Sequence, residues 1–320
     1  MATQPAVETE RASGGVRRPR LWLVGSVVAV AILAVVPLLT DRRDLLNLLF
    51  LVYLAVCLGQ SWNIIGGFAG QVNLGHAAFF GIGALVARNL WAVQGYPFSL
   101  AFLAGGLAAV AFAMVIGVPT FRLRGVYFAI GTLGVGEVLR LTTANALPLV
   151  SALPTDLVNT YDLASRYELA LALAAASTLA AYVLLHSRLG LGILAVREDE
   201  EAAQATGVDA LRHKLVALAI SSLFAGLAGA TFAYYHVSYY PELAFSPHWT
   251  FDAVLITFIG GLGTLIGPVV GAVFYVLVRE QLAVTLVNVH QVIFGILFIV
   301  VVLALPGGLV DLSSRLCRKR

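Results

Sequence analysis

Stretches free of Asp, Glu, Lys and Arg, or nearly so, run over residues 21–40, 45–87, 89–121, 169–187, 215–241, 253–278 and 281–310. A helix that crosses a bilayer needs ~20 mostly apolar residues, and these runs are about that long or longer. The longest must be divided. Run 45–87 carries a glycine-rich interruption around 66–75, which predicts helices near 45–65 and 76–93. Run 89–121 breaks at the turn sequence Gln94-Gly95-Tyr96-Pro97, and a helix near 98–118 follows. Residues 126–143 form another apolar segment, interrupted only by Glu137 and Arg140. With 251–262 and 265–279 read as two short segments, the pattern predicts an all-α polytopic membrane protein of about ten transmembrane segments, within a range of eight to ten. Its broken helices lie near 66–76 and 260–268. The expected organisation is a cytoplasmic tail at 1–20, a transmembrane domain at 21–310 with a cytoplasmic loop at 187–214, and a basic tail at 311–320.

Composition agrees with this picture. Of 320 residues, 60% are hydrophobic and only 12% charged, about half of the ~25% usual for soluble domains. Mean hydropathy is +0.91. The net charge of +3 and the scattered basic residues leave no face for phosphate backbones, which excludes a nucleic-acid binder. Cys57 and Cys317 cannot make a disulfide framework and are expected to be free thiols.

Basic residues set the expected orientation. Arg11, Arg17, Arg18 and Arg20 precede the first apolar run. Placing them in the cytoplasm also puts Arg122, Arg124, Arg188, Arg197, Arg212 and Lys214 there. Ten crossings return Arg315, Arg318, Lys319 and Arg320 to the same side; a re-entrant half-helix at 251–262 would leave them outside. Trp22, Trp62, Trp91 and Trp249 then fall near segment ends, where an aromatic belt would place them. The first segment has the basic flank of a signal peptide. Its core is too long, however, and Thr40-Asp41-Arg42-Arg43 offers no small-residue cleavage site, so an uncleaved anchor is expected.

Charge concentrates in one island. Residues 187–214 hold nine charged side chains, whereas 215–278 hold only Glu242 and Asp252. A solvated connector is the simple reading, and a docking element the sharper one. Punctuation favours docking. Residues 195–206 are rich in the helix formers Ala and Glu, Gly207 then stops that helix, and Asp209 can cap another. Two short helices joined by a glycine make a knob.

The stretch Glu201-Ala202-Ala203-Gln204-Ala205-Thr206-Gly207 resembles the coupling loop of membrane subunits of bacterial ATP-binding-cassette importers, although the extended I-x-L-P part of that pattern is absent. Longer stretches carry the resemblance further. Gly70-Gln71-Val72-Asn73-Leu74-Gly75-His76-Ala77-Ala78-Phe79-Phe80-Gly81-Ile82-Gly83-Ala84 is similar to the signature of the branched-chain amino-acid permease family, of the LivM rather than the LivH type. Leu123-Arg124-Gly125-Val126-Tyr127-Phe128, Ala195-Val196-Arg197-Glu198-Asp199-Glu200 and Gly260-Gly261-Leu262-Gly263-Thr264-Leu265-Ile266-Gly267-Pro268 extend it in the family's order. The resemblance implies a bacterial plasma-membrane permease subunit for leucine, isoleucine and valine. It further implies a LivH-like second permease, two ATPase subunits and an extracytoplasmic solute-binding protein as partners. Arg197, Glu198, Asp199, Glu201, Ala202, Ala203 and Gly207 would then form the coupling site. Related permeases carry urea, amides or aromatic acids, and the quoted motifs do not separate them.

Glycine has a physical role beside the resemblance. It lets helices approach closely in lipid and breaks them where backbone lines a cavity. Gly70, Gly75, Gly260, Gly261 and Gly263 mark two such breaks, in the two halves of the chain, a pointer to a central pathway. Polar and ionisable groups within spans are costly, so Asn73, His76 and Glu137 are the pathway candidates. Glu137 with Arg140, three residues on, also reads as a neutral pair. His76 reads equally as a helix cap. Arg88 and Arg140 are expected to snorkel at helix ends, and Asp252 to sit at a helix start. No metal or cofactor motif occurs. Neither lysine, Lys214 nor Lys319, lies in a G-K-[ST] sequence, so the chain has no phosphate-binding loop of its own. It is not expected to be an enzyme. An ion-driven secondary transporter is the rival reading.

Overall fold

The computed structural model describes residues 19–40, 42–146, 152–285, 295, 299 and 307–311. Among these, secondary structure is helical apart from one isolated bridge between Ala152 and Ser238. The chain falls into two units, 1–40 and 41–320. The first is α1, Pro19–Leu39, a single apolar helix.

The second unit begins with α2, Arg43–Trp62. It continues to Phe68 with wider turns, closed by Ala69 N donating to Ile64 O and Gln71 N to Ile65 O. An irregular segment, 69–75, leads into α3, His76–Arg88, which ends in the same wide manner through Val93. After α4, Phe98–Thr120, and α5, Val126–Ala146, comes a short α6, Thr155–Asn159. Then follow α7, Leu163–Leu185; α8, Arg188–Glu198; α9, Glu200–Ala205; and α10, Ala210–Tyr235. The chain closes with α11, Pro241–Ala244; α12, His248–Gly260; and α13, Gly267–Thr285. Five of these helices, wide-turn extensions included, are long and apolar enough to cross a membrane: Arg43–Phe68, His76–Val93, Phe98–Thr120, Leu163–Leu185 and Ala210–Tyr235. The protein is a polytopic all-α membrane protein. Most of the expected last segment, 281–310, and the tail beyond 311 lie outside the described residues, as do most of the N-terminal tail and Cys317.

Small residues let α3, α4 and α10 touch backbone to backbone. A Cβ on Gly83 would lie 2.0 Å from Gly226 O, one on Gly105 2.6 Å from Gly83 O, and one on Gly229 1.9 Å from Phe80 O. In lipid, where helix association has no hydrophobic drive, such close approach supplies the dispersion contacts that hold a bundle together. Cys57 is buried and free in α2.

Several expectations need correction. The first break is at 69–75, not 66–75, because wide turns carry α2 past Gly66 and Gly67. The helix expected at 169–187 starts at Leu163, since Asp162 caps it: its carboxylate accepts from Ala164 N and Ser165 N. That helix therefore takes in Arg166, whose guanidinium lies between the rings of Tyr161 and Tyr234. The helix expected at 215–241 is Ala210–Tyr235. Arg88 does not snorkel. It is 1% exposed and donates to the carbonyls of Ala233, His236 and Val237 at the end of α10. Trp62 is fully buried rather than in a belt, and Trp249 stacks on Phe80. Residues 195–206 are not one helix, because Asp199 is extended and separates α8 from α9.

Candidate functional site

The two glycine-rich breaks, distant in sequence, meet. The Asn63 side chain donates to Thr264 O at 2.9 Å and accepts from Gly263 N at 2.9 Å, and Gln60 Nε2 donates to Leu265 O at 2.7 Å. Two amide side chains near the end of α2 thus satisfy backbone groups of the turn between α12 and α13, groups that would otherwise be orphaned in an apolar setting. The turn needs glycine: Gly261 and Gly263 have φ of 133° and 73°, and a Cβ on Gly260 would strike Gly267 O. Gly67 must also be small, since its Cβ would fall 2.0 Å from Asn63 Oδ1.

Segment 69–75 is fixed from three sides. Trp62 Nε1 donates to Asn73 O at 2.8 Å, Asn73 Oδ1 accepts from Gly75 N at 2.8 Å, and Leu74 N donates to Thr132 Oγ1 of α5. Gly75 packs on the Thr132 carbonyl, where a Cβ would come within 2.2 Å. His76 opens α3 and is fully buried. Ser61 Oγ donates to Leu58 O, so it must accept from His76 Nε2, 2.8 Å away. This assigns the Nε2–H tautomer and leaves Nδ1 without a protein partner. His76 is not the cap of α3. Thr250 of α12 serves instead, its hydroxyl accepting from Ala77 N at 2.8 Å.

The charged loop abuts this junction. A Cβ on Gly70 would lie 3.0 Å from Arg197 Cγ, and one on Gly263 2.7 Å from Arg197 Nη1. One side chain of α8 therefore rests against both breaks. Asp199 caps α9 by accepting from Glu201 N and Ala202 N. Gly207, at φ 90°, ends it: Val208 N donates to Ala203 O and Gly207 N to Gln204 O. Underneath, Val196, Ala203 and Ala210 pack together, and Lys214 pairs with Glu200 at 2.6 Å. Glu198, Asp199, Glu201, Ala202 and Gly207 face outward; the Glu201 side chain is 82% exposed and touches Arg124 at 3.4 Å.

Glu137 follows Gly136, where a Cβ would lie 3.5 Å from Gly75 Cα, but its carboxylate is held by Arg140. Arg140 donates to both of its carboxylate oxygens and also reaches Glu242 at 2.7 Å, tying α5 to α11. Asp252, expected at a helix start, lies a turn inside α12. There it accepts from Tyr275 OH at 2.5 Å and from Arg279 Nη1 at 3.1 Å, both on α13. Tyr275 and Arg279 were not singled out in the sequence. The available signal was an acid and a base at opposite ends of the apolar run 253–278.

Residues 44–302 match the family described as branched-chain amino acid transport system / permease component. The chain belongs to this family. Among curated relatives it is 29% identical to the high-affinity branched-chain amino acid transport system permease protein LivM of Escherichia coli strain K12, over 90% of this chain and 75% of that protein. The protein of the same name from Salmonella typhimurium is 28% identical over the same shares. A probable branched-chain amino acid transport permease protein LivM from Methanocaldococcus jannaschii is 26% identical over 40% of this chain and 41% of its own. No solved structure matches. Family and helices together make the chain a multi-pass transport permease component.

Proposed function

We propose that the chain is the permease subunit of an ATP-driven importer of leucine, isoleucine and valine, moved through residues 195–210 by separate ATPase subunits. The observation that carries this reading is the position of Arg197, on the charged loop yet seated against both glycine-rich breaks. A push on the outward face, Glu198, Asp199, Glu201, Ala202 and Gly207, is delivered through Arg197 to the point where α2, α12 and α13 meet. The packed foot of Val196, Ala203, Ala210 and the Lys214–Glu200 pair makes the loop a stiff body rather than a slack connector.

In this assembly the chain pairs with a second, LivH-like permease, two ATPases on the cytoplasmic side, and a solute-binding protein on the other. In this reading the N-terminus is cytoplasmic, which the basic residues before the first apolar run support. Asn73 and His76 hold the break that the motion would deform. The test is reconstitution of the whole assembly in liposomes with leucine-loaded binding protein outside. Leucine accumulation that needs ATP on the ATPase side is expected. Accumulation by this chain alone, without nucleotide, would overturn the reading.

A further inference from the structure

Away from the junction, α10, α12 and α13 line a half-open cavity of about 440 Å³, whose lining includes Phe232, Trp249, Asp252, Leu255, Tyr275 and Arg279. A second cavity, about 280 Å³, lies between these helices and α2. It shares Phe232, Trp249, Asp252, Tyr275 and Arg279 and adds Leu54 and Leu58. The larger falls within the ~300–1,000 Å³ of ordinary small-molecule sites, and both are mainly apolar with few polar groups. Among those groups are a carboxylate and a guanidinium, 3.1 Å apart, from facing helices, with the Tyr275 hydroxyl on the carboxylate; Ser246 and His248 also line the larger cavity, and His236 and Glu280 the smaller. The Asp252 side chain is 16% exposed and that of Arg279 54%.

An acid and a base in apolar walls match the head of an α-amino acid, an ammonium and a carboxylate on one carbon, with an aliphatic side chain beyond. We infer that this cavity binds the zwitterion of an aliphatic α-amino acid, with Asp252 receiving the ammonium and Arg279 the carboxylate. The inference rests on the reading of the chain as an amino-acid permease and says where the cargo sits. It also connects the site to the junction. Asp252 stands eight residues, or ~12 Å, before Gly260, and Arg279 twelve residues, or ~18 Å, after Gly267. The two helices hinge at the glycine turn beside Arg197, so movement there changes the separation of the two charged groups. An intramembrane ion pair has a structural role as its plain alternative, and the test must separate the two.

The experiment uses the reconstituted complex and a leucine analogue with a diazirine in its side chain, photolysed during ATP-driven uptake, with labelled peptides mapped by mass spectrometry. Label is expected within 241–258 and 270–283. It should be suppressed by leucine but not by leucinamide, which lacks the carboxylate, or by 4-methylpentanoate, which lacks the ammonium. Asp252→Asn should cut the label by roughly 30-fold or more, as loss of one partner of a buried charged contact does. Asp252→Glu should restore part of it. Leu255→Trp, which fills the cavity and leaves the ion pair in place, should also cut it. This second variant decides the matter if Asp252→Asn does not assemble. Uptake with label confined to other segments, or equal label in Leu255→Trp, would overturn the site and leave the importer reading intact. Absence of ATP-dependent leucine uptake by the unaltered complex would overturn the importer reading itself.

Discussion

Single residues show where an apolar chain tolerates charge. Arg88 and Arg166 are buried, yet both donate to carbonyls near the end of α10, Arg88 to Ala233, His236 and Val237 and Arg166 to Tyr234; Arg166 also donates to Asp162 O at the start of α7. Those on α10 are acceptors left open where a helix ends, and a planar guanidinium holds its donors on three nitrogens in a fixed fork, whereas an ammonium has three on one atom. Arg88→Met should strand the Ala233 and His236 carbonyls, Val237 O keeping its bond from Leu153 N, and cost a few kcal/mol, at ~1–3 kcal/mol for each group stranded. Arg88→Lys should recover only part. Thermal unfolding of the purified protein in detergent reads this directly, and an unchanged midpoint for Arg88→Met would refute it. The glycines offer an internally controlled pair. Gly83→Ala puts a methyl 2.0 Å from a carbonyl oxygen and should destabilise. Gly134→Ala meets nothing within 4 Å and should gain up to ~1 kcal/mol of helix propensity. Equal melting temperatures for the two variants would show that α3 and α10 do not touch as described.

At the scale of elements, the sequence announces what is local. Long apolar runs locate α2, α3, α4, α7 and α10, and the glycines locate both breaks. Helix ends depend on partners the sequence does not display. α7 extends back through Arg166 because the ring and carbonyl of Tyr234 on α10, with the Tyr161 ring and Asp162 carbonyl just before α7, receive that cation, which a count of charges would treat as a boundary. The split at Asp199 had a legible signal, an acidic cap followed by Glu200 and Glu201 in the first turn. The helix propensity of the surrounding alanines masked it. The meeting of Asn63 with Gly263 is unreadable in one sequence, since nothing local couples positions 200 apart. Asp199→Ala should remove about 1 kcal/mol of cap energy. Hydrogen exchange at Glu201 and Ala202 should then quicken several-fold, while α10 is unaffected; exchange rates unaltered at those amides would count against the cap. Asp162 gives a pH-dependent counterpart. Its carboxyl is held below the usual range, first by the Ser165 hydroxyl and then by the Ser165 amide. A depressed acid stabilises the fold above its unfolded pKa, near ~4, and that share is lost as pH falls through the lower folded value. Asp162→Asn should therefore flatten the acid limb of the unfolding midpoint below about pH 5. A limb as steep as that of the unaltered protein would mean that other carboxylates dominate.

For the whole molecule, the question is whether force applied to the charged loop reaches the breaks by one route or many. Proximity alone does not establish coupling; a shared two-state element must respond from both ends. The arrangement here makes a divided prediction. Arg197, on α8, touches Gly70 and Gly263 and pairs with Glu198 at 3.9 Å, whereas Glu201 is on the exposed face of α9 and pairs with Arg124. Glu201→Arg should therefore weaken recovery of the ATPase with the chain, and uptake should fall with it. Arg197→Ala should leave the ATPase bound and hydrolysing, yet reduce leucine uptake per ATP by about tenfold or more, a coupling loss within the ~1–3 kcal/mol usual for linked sites. Gly263→Ala should resemble Arg197→Ala, because a methyl there both strains a backbone at φ 73° and pushes against the guanidinium. Measuring uptake and hydrolysis on the same liposomes separates the two classes. If Arg197→Ala and Gly263→Ala transport with unaltered stoichiometry, the contact between loop and breaks is only packing. Transmission would then have to run through the long helix α10, which follows α9 after four intervening residues and crosses α3 and α4 at their glycines.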